Sequence, residues 1–437
     1  MHDRPLEQSI GERLHAHATA LFPIFRSITG EGLRKTLAYI GRQIPLTVTE
    51  VPSGTQVLDW VVPLEWTPRA ATIRRMSGEV VVDLVDHSLH LLQYSQAIDR
   101  VVSLSELDQH LYSLPDQPDL IPYRTAYYAQ TWGFCLPDRT RLAMTDPEYR
   151  VTIDVDLAPG ALSYGECVIT GTDAAEILLS VHCCHPSLAN DNLSGMAVAI
   201  EFAKVWASRP HRLGLRIVFL PGTIGAITWL AQNRDRLPQI SHGMVLTCLG
   251  DAGPPTYKRS RRSDAAIDRA AAYALGELGH ADRVQPFLPY GYDERQYCSP
   301  GFNLPVGCLM RSPNGTFPEY HTSADSLDFI RPDALAGSLA LLERVLTIAE
   351  ADRRWRNTQP FGEPQLGRRG LYVKIGGVGD AGRGAAGFDQ MAMLWVLNQS
   401  DGSASLLEIA QRAGKPFDAV QAAAAALAEV GLLEPTD

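Results

Sequence analysis

The chain has 437 residues, 45% of them hydrophobic and 20% charged, which excludes a wholly disordered or fibrous protein. Its 39 Lys and Arg against 49 Asp and Glu leave a net charge of −10, a poor default for binding nucleic acid or an anionic membrane surface. No apolar run approaches the roughly 20 residues of a membrane helix, Met1-His2-Asp3-Arg4-Pro5 has no secretory pattern, and seven sparse Cys read as reduced thiols, so a cytoplasmic protein is expected.

In chain order, residues 9–44 show helical spacing in Leu14, Ala18, Leu21 and Phe22, then in Leu33, Leu37 and Ile40, with Pro23 and Gly30 dividing two helices. Between 56 and 145 short runs at 57–62 and 79–85 predict a β-rich inserted domain. Its aromatic loops at 123–128 and 131–134 either line a cleft or fill a small core. From 146 to 350 strands (177–181, 215–220, 244–249, 304–310) alternate with helices (194–208, 224–232, 264–278, 332–350). Together with residues 1–55 this predicts an α/β domain, a twisted sheet flanked by helices, with ligands beyond the strand C-termini. Residues 351–390 read as a linker containing the Gly-rich stretch 376–384. Residues 391–437 read as a C-terminal winged-helix domain of three short helices. In that last stretch only Arg412 and Lys415 stand against Asp401, Glu408, Asp418, Glu429, Glu434 and Asp437. No nucleic-acid binding is expected of it. A homo-oligomer or protein partner docking there, or plain stability, is expected instead.

The chemistry concentrates at strand ends. His182 closes one strand, in Ser180-Val181-His182-Cys183-Cys184-His185-Pro186, and the turn Asn190-Asp191-Asn192-Leu193-Ser194-Gly195 precedes a helix. Imidazole and carboxylate at adjacent strand ends suit zinc. Taken singly, each is as readily a satisfied structural residue or a helix-terminal one. Gly250-Asp251, Gly291-Tyr292-Asp293-Glu294-Arg295-Gln296-Tyr297 and Tyr320-His321-Thr322 are polar clusters at further strand ends. His, Asp, Asp and His on successive strand ends form a pattern that loop solvation does not produce.

His182, the 191–195 turn, Asp251 and Tyr320-His321-Thr322 resemble the metal-binding framework of the zinc aminopeptidases, a superfamily that includes the glutaminyl cyclases. Over nearly its whole length the chain resembles a bacterial aminopeptidase-like family of unestablished function that carries the same insert and C-terminal winged helix. The segments 114–118, 187–191 and 293–302 carry that likeness. The resemblance implies His182, Asp191, Asp251 and His321 as metal ligands, with Asp191 bridging two metals in the superfamily. It also implies two adjacent glutamates after the next strand, one the general base. This chain reads Leu220-Pro221-Gly222-Thr223 there, and neither position is acidic.

The expectation is therefore a zinc-dependent, aminopeptidase-like hydrolase acting on a small peptide or amide. His182, Asp191 and His321 hold the metal, with Asp251 next in line. Glu294, or else Asp293 or Glu319, moves the proton that the missing glutamate would have moved. Arg295 holds a substrate carboxylate or pairs with Asp293, and Tyr297 donates to an oxyanion or packs in the core. His185 is read as a partner that orients His182, or as an extra ligand. Cys183 and Cys184 are read as apolar filler. The alternatives are an amidase or acyl-transfer enzyme on a biosynthetic intermediate, and a non-catalytic metal- or ligand-binding module.

Overall fold

The computed structural model describes residues 9–371 and 389–436, so the Gly-rich stretch 376–384 lies outside the described residues. The first unit runs to Glu343 and the second begins at Arg344.

Helix α1 (Ile10–Leu21) starts where the Ser9 hydroxyl accepts the Glu12 N–H and the Glu12 carboxylate accepts the Ser9 N–H, a reciprocal cap. Helix α2 (Glu31–Gly41) follows Gly30, whose φ of 91° is open to glycine and where a Cβ would also fall 2.6 Å from the Trp66 carbonyl. After β1 (Thr47–Pro52) the chain builds the insert. Its strands β2 (Glu65–Arg75), β3 (Val80–Asp83), β4 (Ile98–Ser103) and β5 (Glu148–Ala158) form an antiparallel sheet in the order β3-β2-β5-β4. Alternate residues of β5 are buried, so one face of the sheet, with Trp66, Ile73 and Tyr149, belongs to the core and the other meets water. This insert sheet continues past residue 145 to Ala158.

The main sheet adds β6 (Ala161–Ile169), β7 (Glu176–His182), β8 (Gly214–Leu220), β9 (Ile240–Leu246), β10 (Thr256–Lys258), β11 (Val284–Gln285) and β12 (Val306–Met310). Their order is β1-β6-β8-β7-β9-β12-β10-β11, and β8, β7, β9 and β12 run parallel. Every residue of β7 after Glu176 is buried, as expected for a strand covered on both faces. The covering helices include α3 (Gly195–Trp206), α4 (Ile224–Gln232), α5 (Ala266–Glu277) and α6 (Pro332–Ala351). From β7 the chain crosses to β8 on one side and then returns to β9 on the other. The crevice of such a sheet opens at that reversal, beyond the C-terminal end of β7, and the residue there is His182.

In the second unit β13 (Arg354–Asn357), β14 (Asp401–Ser405) and β15 (Leu433–Pro435) form a sheet in the order β14-β13-β15. Helices α7 (Gln390–Gln399), α8 (Leu406–Ala413) and α9 (Phe417–Glu429) accompany it. Ser405 and Glu408 cap the start of α8, and Gly414, left-handed at φ 59°, ends it. Strand β13 lies in the stretch read as linker. Arg354 and Arg356 therefore belong to this domain's charge, which the count over 391–437 left out. No helix among the described residues is long and apolar enough to cross a membrane.

Candidate metal centre

His182 leaves β7 directly beside β8, paired in register with Leu220. The irregular turn Ala189–Ser194 then brings Asp191 back to it, because Asp191 and Asn192 depart from helical geometry before α3 begins. Asn192 fixes that return. Its amide nitrogen donates to the Leu246 carbonyl at 2.9 Å, and its amide oxygen accepts the Gly195 N–H at 3.2 Å. Gly195 must be small here, since a Cβ would fall 2.7 Å from Asn192 Nδ2.

The result is a carboxylate shared by two imidazoles. His182 Nε2 lies 2.7 Å from Asp191 Oδ1, and His321 Nε2 lies 3.0 Å from Oδ2. His185 completes the group: one donor atom from each of His182, His185 and Asp191 lies within 4.8 Å of the other two. His182, His185 and Asp191 are buried, whereas the His321 side chain is 32% exposed, so the centre opens to solvent on the His321 side. Burial opposes ionisation of Asp191, yet the hydrogen bonds from His182 and His321 hold its carboxyl well below the usual range. Burial pushes the His185 imidazole well below its ordinary value, which keeps it neutral and ligand-ready. Two imidazoles and a carboxylate are a donor set that fits zinc.

The surrounding support comes from distant parts of the chain. Buried Arg26 donates through Nε to the His185 carbonyl at 3.1 Å and through Nη1 to the Leu21 carbonyl at 2.6 Å. Asp325 accepts the backbone N–H groups of Asn190 and Asp191, and burial pushes its carboxyl up to about 8. From the insert, the Tyr123 ring stands 4.9 Å from His185 and 5.1 Å from His321, and its hydroxyl lies 3.0 Å from that of Tyr127. Residues 121–123 of the insert also pair with 321–323: Tyr123 N–H donates to the His321 carbonyl at 2.8 Å, and Ser323 N–H donates to the Ile121 carbonyl at 2.9 Å. Tyr292 covers the other side, its ring centroid 4.1 Å from that of His182.

The expected site residues divide. His182, Asp191 and His321 come together. Asp251 stands apart from them, its carboxylate taken up by the Asn190 amide at 3.0 Å, the Gly253 N–H at 2.7 Å, and the Ser312 hydroxyl and N–H. Glu294 is buried in an ion pair with Lys258 and accepts the Tyr292 N–H, so it is not a loose loop carboxylate. Asp293 is buried with no hydrogen-bond partner for either carboxyl oxygen among the described residues, and burial pushes its pKa well above the usual range. Arg295 is exposed. Tyr297 is fully buried, donating to Ser180 at 2.9 Å and packing against Trp229. Burial pushes the Cys184 thiol up to about 12, which suits filler rather than a thiolate ligand. Arg26 escaped sequence reasoning, while Tyr123 and Tyr292 entered it only as members of the aromatic loop at 123–128 and the polar cluster at 291–297, because no local motif marks the contacts they make.

A family model described as a domain of unknown function (DUF4910) matches residues 15–352, and one described as a winged helix-turn-helix matches 353–435. The chain belongs to the DUF4910 family. A Clostridium acetobutylicum protein provisionally named as a polysaccharide biosynthesis protein with an aminopeptidase-like domain is 46% identical over 414 residues, covering 95% of this chain and 94% of that one. A crystal structure from the same organism, provisionally described as a peptidase, superposes with a TM-score of 0.89 at 43% identity, covering 98% of this chain and 96% of that chain. The zinc aminopeptidase of Bacillus subtilis shares the fold at 12% identity, with a TM-score of 0.57 over 79% of this chain and 96% of its own. The DUF4910 chain is thus aminopeptidase-like in fold, with a winged-helix domain at its C-terminus.

Proposed function

We propose that the protein is a zinc-dependent hydrolase of a small amide, and that the amide is carried on an intermediate of polysaccharide assembly. The observation that carries the first half is the Asp191 carboxylate held between His182 and His321 beside a neutral His185, at the mouth of the crevice. The name of the Clostridium relative supports the second half.

A zinc ion bound there supplies Lewis-acid polarisation of a carbonyl and lowers the pKa of water to about 7. The protein's own residues do the rest. His182 and His321 fix the orientation of the Asp191 carboxylate, and Arg26 and Asp325 fix the main chain of His185 and Asp191. Tyr123 stands edge-on to the His321 ring on the open side, a placement that favours small substrates. Of the acids expected to move a proton, Asp293 is the buried one without a hydrogen-bond partner among the described residues; burial pushes its carboxyl well above the usual range, which favours the protonated form that a leaving amine needs.

The test is a panel of aminoacyl amides and N-acylated amino sugars, offered to chelator-stripped and zinc-reloaded protein in 18O-labelled water. Release of amine and 18O-labelled acid by the reloaded protein alone is expected. A product without 18O assigns acyl transfer instead. Turnover unaffected by stripping removes the metal from the reading.

A further inference from the structure

Asp191 offers two oxygens, and the donors around them are unequal. His182 faces Oδ1, and His182, His185 and Asp191 each offer a donor atom within 4.8 Å of the other two. His321 faces Oδ2, and no second group of three such donors forms around it among the described residues. A catalytic zinc site uses three protein ligands and keeps one position open. The first side meets that count; the second needs one more donor.

The acids nearest in the fold do not supply it. Asp251 is saturated by Asn190, Gly253 and Ser312. Asp325 is spent on the backbone N–H groups of Asn190 and Asp191, and Glu294 on Lys258. Asp293 is unpartnered but joins no three-donor group among the described residues. A further route is a side chain from the segment after β8, the strand that pairs with β7. That segment presents Gly222, and the space beside it is full: a Cβ on Gly222 would fall 2.6 Å from the Tyr292 hydroxyl. The Tyr292 hydroxyl donates to the Gly222 carbonyl at 3.2 Å and sits 3.6 Å from Cys184 Sγ, while its ring lies against His182. The loop behind it is clamped, because Lys258 Nζ donates to the Tyr290 carbonyl at 2.7 Å and pairs with Glu294, which accepts the Tyr292 N–H.

We infer that the centre takes a single divalent cation, on His182, His185 and Asp191, and that Tyr292, packed between Gly222 and the His182 ring, is the positioning residue that closes the segment after β8 to a further ligand. His321 then holds Asp191 Oδ2 rather than a metal of its own. This rests on the metal-dependent reading above and goes beyond it in fixing stoichiometry and ligand set.

The experiment counts metal in the full-length protein. Chelator-stripped protein is titrated with Co(II), followed by its visible absorption, and the zinc content of the reloaded, desalted protein is measured by elemental analysis. One equivalent is expected. Gly222→Glu combined with Tyr292→Ala, which exchanges the ring for a carboxylate, is expected to raise the end point above one equivalent; an end point still at one overturns the role given to Tyr292. His185→Ala, and His185→Gln should the alanine variant fold poorly, are expected to weaken Co(II) binding by about tenfold or more. Two equivalents in the wild type, or His185 variants that bind as tightly as wild type, overturn this inference and leave the hydrolase reading standing. No uptake in the wild type overturns both.

Discussion

The Asp325 carboxylate accepts the backbone N–H of Asp191 at 3.0 Å and that of Asn190 at 2.6 Å, so one buried acid holds the main chain of the residue whose own carboxylate joins His182 to His321. Replacing Asp325 by Ala strands two buried N–H groups, at about 1–3 kcal/mol for each. It also frees the turn that aims Asp191. Asp325→Ala is expected to lower stability in urea denaturation by that sum, and to weaken cation binding by about 10–100-fold. An unchanged cation affinity in a folded variant counts against the aiming role.

Lys258 and Glu294 form a buried pair, their side chains 7% and 1% exposed. Removing one partner leaves the other charge without compensation, at about 3–5 kcal/mol. Lys258→Met is expected to cost that much, and Lys258→Met with Glu294→Gln to recover part of it in a double-mutant cycle. Additive losses contradict the pairing.

Gly222 and Tyr292 share one volume. Gly222→Ala is expected to destabilise by about 1–3 kcal/mol through overpacking. The loss is expected to shrink when Tyr292→Ala is made in the same chain, because a Cβ on Gly222 meets the Tyr292 ring before anything else. Equal losses in both backgrounds place the clash elsewhere.

Far from the centre, Glu201 on α3 accepts from His17 at 3.0 Å and from Lys204 at 2.6 Å. The hydrogen bond from His17, then that from Lys204, hold its carboxyl down from 4.5 to about 2, against the cost of burial. A lowered carboxylate pKa contributes stability that is present above pH 4.5 and lost as the pH falls toward 2. Glu201→Gln is expected to cost about 2 kcal/mol at pH 7 and progressively less between pH 4.5 and 2. A pH-independent difference assigns the loss to packing.

Much of this was legible in the sequence. The apolar run of β7 and the alternation after it placed His182 at a strand end, and the 191–195 turn placed Asp191 next to it. Three features were not legible: two depend on a partner far along the chain, and the third on how the turn after β7 folds back on itself. Glu294 reads as a free loop carboxylate until Lys258, 36 residues earlier, is seen beside it. Nothing around Asp251 in the sequence announces Ser312 and Asn190, which lie on its oxygens in the fold. His185 reads as support for His182 until the fold sets it within reach of Asp191. The winged-helix boundary failed differently. Strand β13 is four residues long with one buried position, too short for a periodic signal, and its partners lie about 45 and 80 residues downstream.

The short ladder between residues 121–123 and 321–323 makes the insert and the His321 turn a single heritable unit. A lineage cannot trade its cap for another, and so change what enters the crevice, without also reseating the histidine that braces Asp191. Chimaeras that exchange residues 56–158 between relatives should keep their chemistry only when the 318–325 segment travels with the insert.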